Sequence, residues 1–138
     1  MTESTKIDFR HRRVSEIEDI TDLVGVLFPG NRNQQHAAAR ILVALKASSE
    51  PMSCMSHLER EHGISRRTLQ RTRAKLTRLG IIEHVSFLNA RYGGQHGWKL
   101  SSRMSTALRQ LADRIDDWRR DTRPGRREKD ERLLGVLR

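Results

Sequence analysis

Between Ile64 and Gly80 the chain carries Arg66, Arg67, Arg71, Arg73, Lys75 and Arg78 and no acid, a local charge of +6 within a net +10. Guanidinium groups are planar forks of donors that grip a phosphate, or the O6/N7 edge of guanine, with two hydrogen bonds at once. Gln70, the one amide in the stretch, matches the N6/N7 edge of adenine, and Ala74 is small enough to let a thymine methyl approach. The chemistry on offer is recognition of a polyanion rather than bond-making. At about 100° per residue, Leu69, Thr72, Leu76 and Leu79 gather on one side of a helix over 66–79, and Arg67, Gln70, Arg71, Ala74 and Arg78 on the other. One face is built for a core and the opposite one for an anion.

Other reactive side chains are scattered. His57 and His62 are five residues apart and do not share a helix face, and His84 and His96 stand isolated, so no metal site is expected. Cys54, between Met52 and Met55, reads as a small buried hydrophobe. No Ser/His/Asp grouping, phosphate-cradling glycine loop or paired-carboxylate motif is present, which argues against an enzyme and for no cofactor.

Composition agrees with a polyanion partner. The 138 residues suit one domain with modest extensions, and the 27 basic residues divide into 22 Arg and 5 Lys. The Arg excess favours bidentate contacts, although a GC-rich coding bias would produce it too. No window approaches the ~18 apolar residues of a membrane span, and residues 1–15 lack a signal-peptide core, so the expectation is a cytoplasmic, nucleoid-associated protein with no membrane partner. The single cysteine suits a reducing compartment.

These residues need elements to hold them. Residues 1–13, ending Arg10-His11-Arg12-Arg13, read as a flexible basic arm. Ile17, Ile20, Leu23, Val24 and Leu27 recur at helical spacing after a capping Ser15, giving an acidic helix that Pro29-Gly30 ends. A nearly all-round apolar helix is expected over 33–48, and a short one over 53–62 closed by Gly63. Ser65 caps the basic helix and Gly80 stops it. From Ile81 to Phe87, and again over 97–100, the pattern alternates as in strands, joined by a glycine-hinged tip over 88–96, with Trp98 covering the core end of the hairpin. Ser101 or Ser102 caps a last helix to 118, and 119–138 form a basic tail of net +4, expected to be mobile.

The stretch Leu58-Glu59-Arg60-Glu61-His62-Gly63-Ile64-Ser65-Arg66-Arg67-Thr68-Leu69, with Leu76 to Ile82 and Gly97-Trp98-Lys99-Leu100-Ser101, resembles the winged helix-turn-helix family of DNA-binding proteins over residues 33–100. The resemblance implies a mainly α fold with a small β-hairpin (α+β), here with extra N- and C-terminal helices. It also implies a bacterial or archaeal transcription regulator whose helix 66–79 enters the major groove while the wing touches the minor groove or backbone. Arg67, Gln70, Arg71 and Ala74, toward the N-terminus of that helix, are then the base readers, and Arg66, Arg73, Lys75 and Arg78 the phosphate contacts. In the wing, Arg91 leads, with Tyr92, Gln95 and His96 as helpers.

Met104, Leu108, Leu111, Ile115 and Trp118 fall four, three, four and three residues apart, the spacing of a helix–helix seam. The stripe is partly needed to cover its own domain, but this helix and the acidic one together exceed what a three-helix winged domain needs, so a homodimer reading a palindrome is expected. Two other readings stay open. One is a non-specific architectural or plasmid-segregation protein that coats duplex DNA, and the other is a protein-interaction adaptor within a transcription or replication assembly. RNA is less well matched, because Phe9, Phe28, Phe87, Tyr92, Trp98 and Trp118 form no stacking platform.

Overall fold

The computed structural model describes residues 5–86 and 96–138. Along the chain lie α1 (His11–Ser15), α2 (Ile20–Leu27), α3 (Arg32–Ala47), α4 (Ser56–His62), α5 (Arg66–Leu79), β1 (Ile82–Val85), β2 (Gly97–Leu100), α6 (Arg103–Arg120) and α7 (Arg126–Leu134), followed by a 3-10 turn at Gly135–Leu137. The described residues are mainly helical with a small antiparallel sheet, an α+β arrangement. It divides into two compact units, Met1–Met104 and Ser105–Arg138. Among the described residues no helix is long and apolar enough to cross a membrane.

In the first unit α3 is the central element, packing against α2, α5 and β2. Ala37, Ala38, Ile41, Leu42 and Leu45 are buried along it, and its small Ala pair lets neighbouring helices approach closely. Phe28, Ile41, Met55, Leu76 and Ile82 are fully enclosed, each stabilising the fold by ~1.5–3 kcal/mol through burial. The all-round apolar surface expected for this helix is not realised. Val43 faces outward and lines an apolar groove with Ile20, Leu23, Leu42, Ile81 and Leu100.

Capping decides where the helices begin. The single helix expected from Ser15 is broken, because Asp19 accepts from the N–H groups of Thr21 (2.9 Å) and Asp22 (3.1 Å), while Asp22 accepts from Glu18 N–H (3.1 Å). This reciprocal cap satisfies donors that a continuous helix would otherwise have to bond internally, so the chain restarts at Ile20. Ser15 instead ends α1, donating its hydroxyl to the Arg12 carbonyl. α4 likewise starts at Ser56 and not at 53, and Cys54 is exposed rather than buried, its Sγ accepting from Ser56 N–H in the turn before the helix. The two hydrogen bonds from Ser56 hold the Cys54 thiol below its ordinary pKa.

β1 pairs with β2 in the register Ile82 with Leu100, Glu83 with Lys99, His84 with Trp98 and Val85 with Gly97. Met52, between the helices expected over 33–48 and 53–62, adds a bridge on the other edge of β2, exchanging hydrogen bonds of 2.8 and 2.9 Å with Trp98. Gly97 (φ +146°) makes that approach possible, since a Cβ there would stand 2.5 Å from the Met52 carbonyl oxygen. The expected strand end at Phe87 lies outside the described residues.

Residues 6–8 are tied to the first unit. Asp8 N–H donates to the Val26 carbonyl (2.9 Å), Ile7 packs on the core, and the Lys6 carbonyl accepts from Lys75. The Asp8 carboxylate also receives Arg10 (2.8 Å) and Arg13 (3.8 Å), and the Arg10 hydrogen bond is the main reason its pKa falls to about 2. In the second unit, the tail segment 126–134 is helical. Arg126 pairs with Asp130 and Asp121, and Trp118 Nε1 donates to Asp130 (3.1 Å).

Candidate nucleic-acid interface

α4 ends at Gly63, whose left-handed backbone (φ 63°) turns the chain sharply enough for Ile64 to enter the core and Ser65 to cap α5. Ser65 Oγ accepts from Thr68 N–H (3.1 Å), leaving the first turn of α5 with Arg66 and Arg67 and no acid. Cations at this end oppose the helix dipole, so they raise the positive potential there and favour a bound anion. A polar depression lined by Asn33, His36, Gly63, Ser65 and Thr68 opens beside it.

The inner side of α5 is buried through Leu69, Thr72 and Leu76, with Thr72 donating its hydroxyl to the Thr68 carbonyl (2.7 Å). Arg66, Arg67, Gln70 and Arg71 are exposed, Ala74 is half-buried beside them, and Arg78 is exposed farther along. The residues read from sequence as base-reading thus stand together on one accessible stretch.

Two of the expected phosphate contacts are placed differently. Lys75 is only 8% exposed, and its ammonium donates to the carbonyls of Leu27 (2.6 Å) and Lys6 (2.8 Å) while lying 4.5 Å from the Phe28 ring centroid. It is an internal tie, and its assignment to phosphate is corrected. Burial, aided by the nearby Arg78 charge, pushes its pKa below the ordinary lysine value. Arg73 is half-buried, with its guanidinium carbon 4.7 Å from the Trp98 ring centroid.

That contact belongs to a cluster the linear reading missed. His84 meets Trp98 edge-on at 4.8 Å and His96 at 6.3 Å, so Arg73, Trp98, His84 and His96 lock the base of the hairpin to α5. The only signal in the sequence was Trp98 and His84 on neighbouring strands, and their register was needed to bring them opposite each other. His96, expected to help the wing touch DNA, is half-buried within this cluster. Arg91, Tyr92 and Gln95 lie outside the described residues.

On the far side of the hairpin, Glu83 holds Lys99 (3.4 Å) and Arg103 (3.5 Å), and a hydrogen bond from Ser101 is the leading cause of its lowered pKa. Ser101 Oγ also accepts from Arg103 N–H (3.2 Å), at the first residue of α6. Of the expected seam, Met104 packs partly against the first-unit core, whereas Leu108, Leu111, Ile115 and Trp118 are exposed. Among the described residues there is no group of three or more His, Cys, Asp or Glu placed to hold a metal ion. Comparison with protein-family models, curated proteins and solved structures gives no match.

Proposed function

We propose that the chain is a homodimeric double-stranded DNA-binding protein of the winged helix-turn-helix kind, acting in transcription regulation. The observation that carries this reading is the exposed run Arg66, Arg67, Gln70 and Arg71 on a helix whose opposite side is buried and whose length holds no acid. On this reading α5 lies in the major groove, with Arg67, Gln70 and Arg71 meeting base edges and Arg66 and Arg78 meeting phosphates. The Arg73–Trp98 contact holds the base of the hairpin alongside α5, which supports a wing that reaches the flanking backbone or minor groove.

Randomised-duplex selection followed by competition titration tests the reading. A sequence-specific regulator yields a motif and binds it at least ~10³-fold more tightly than random duplex at physiological salt. Equal affinity for all duplexes would replace regulation with non-specific coating. Absence of duplex binding even at low salt would overturn the DNA reading and favour a protein-docking role.

A further inference from the structure

α6 is an 18-residue helix in which no residue is buried. Leu111 and Ile115 are each 55% exposed, Trp118 62% and Leu108 37%. An isolated helix of this length is only marginally stable in water, and most of its stability must come from covering its apolar face. We infer that this face is covered by α6 of a second copy of the chain running antiparallel, Leu108 against Trp118 and Leu111 against Ile115. The inference rests on the homodimer in the proposed function and specifies its geometry.

Volume is the first reason for the direction. Pairing the stripe antiparallel gives two outer layers of one Leu and one Trp and two inner layers of one Leu and one Ile, so every layer has similar bulk. A parallel pair would set Trp118 against Trp118 in one layer and only Leu or Ile pairs in the others, so all the aromatic bulk falls in a single overfilled layer. The Trp118 indole N–H is already bonded to Asp130, so its ring can be covered without stranding a donor.

Charge is the second reason. With the stripe at the core positions, Ala107 and Arg114 flank it on one side and Ser105, Ala112 and Arg119 on the other. In a parallel pair Arg114 of each copy meets Arg119 of the other, two repulsive contacts. In the antiparallel pair Arg119 meets Ser105, Ala112 meets Ala112, and only the Arg114 side chains approach each other, near the two-fold axis. Residues 1–104 carry 17 basic and 10 acidic side chains, a net +7 joined to the N-terminal end of α6. A parallel pair brings two such charges to one end, and an antiparallel pair holds them apart.

The full-length chain with Cys54→Ser and a nitroxide label at Ser105→Cys, or separately at Ala112→Cys, tests this. Light scattering should give twice the 16.0 kDa chain mass. Dipolar spectroscopy should then show a short distance for labels at 112 and a long one at 105, where the two sites are about 24 Å apart along the helix axes. Leu111→Glu should convert the dimer to monomer without changing the unfolding of the first unit. Short distances at both positions would overturn the antiparallel pairing while leaving the dimer standing. A dimer untouched by Leu111→Glu would place the interface elsewhere, and a monomeric wild type would overturn the dimer as well. None of these outcomes touches the DNA-binding part of the reading, which the duplex titration decides.

Discussion

Lys75 and Arg71 stand one helical turn apart on α5, carry the same charge, and do opposite things. Lys75 turns inward to the carbonyls of Lys6 and Leu27, whereas Arg71, on the neighbouring turn of the same side, stays exposed. A substitution at each should therefore separate folding from binding. Arg71→Ala is expected to weaken affinity for a selected duplex by ~1–3 kcal/mol with an unchanged melting curve. Lys75→Met leaves two carbonyls without their donor and should cost about 1–3 kcal/mol of stability in urea unfolding. Well below its melting temperature it should bind duplex like wild type. A Lys75→Met protein that melts normally but loses duplex affinity would return Lys75 to the phosphate surface. Nothing local distinguishes the two residues in the sequence, since the acceptors of Lys75 lie 69 and 48 positions away.

Elements are joined here by backbone approaches that tolerate little change. Gly97 lets the Met52 strand edge close onto β2, and a methyl group there would collide with backbone while the residue kept a positive φ. Gly97→Ala should lower stability by about 3 kcal/mol, whereas Gly63→Ala, with open space around it, should cost only ~1–2 kcal/mol from left-handed strain alone. Equal losses in thermal denaturation would show that the Met52 bridge contributes nothing. The N-terminal segment is the other joint. Asp8, held at about pKa 2 chiefly by Arg10, has a native value below its ordinary 3.8. Its contribution is therefore fully present above about pH 4 and lost as pH falls toward 2. The melting temperature of wild type should fall through that window by more than that of Asp8→Asn, which has no carboxylate to protonate there. An equal fall in the two proteins would mean that the Asp8 carboxylate does not stabilise the segment.

At the scale of the whole molecule, charge is segregated by role. The acids Glu16, Glu18, Asp19 and Asp22 sit around the start of α2, and the sequence of α5 contains cations and no acid. If the α5 face carries affinity, binding should fall steeply with salt, by roughly 0.9 log units in affinity per log unit of salt for each phosphate neutralised. Arg66→Ala should flatten that slope by about one such increment per subunit, with little effect on base preference. An unaltered slope removes Arg66 from the phosphate contacts. In a dimer each loss counts twice, so the salt slope of Leu111→Glu, once monomeric, should be about half that of wild type.

Local chemistry was legible in the residues themselves. The two-sided pattern of α5, the Ser65 cap and the Gly63 turn depend on neighbours within a few positions, and the structure places all three as the spacing implies. Competition between caps was harder to read, because Ser15 and Asp19 are both good caps and only the additional bonds through Asp22 favour Asp19. Residue types and periodicity therefore determined that this chain forms a basic, capped, amphipathic helix followed by a small hairpin. Only the tertiary structure decided that Lys75 is an internal tie, that Cys54 is exposed, that Met52 extends the sheet edge, and that Arg73 and His96 brace the hairpin. Apart from Cys54, whose partner Ser56 is local, each of these depends on partners brought together by chain closure, and a partner distant in sequence leaves no periodic trace at the residue it will meet.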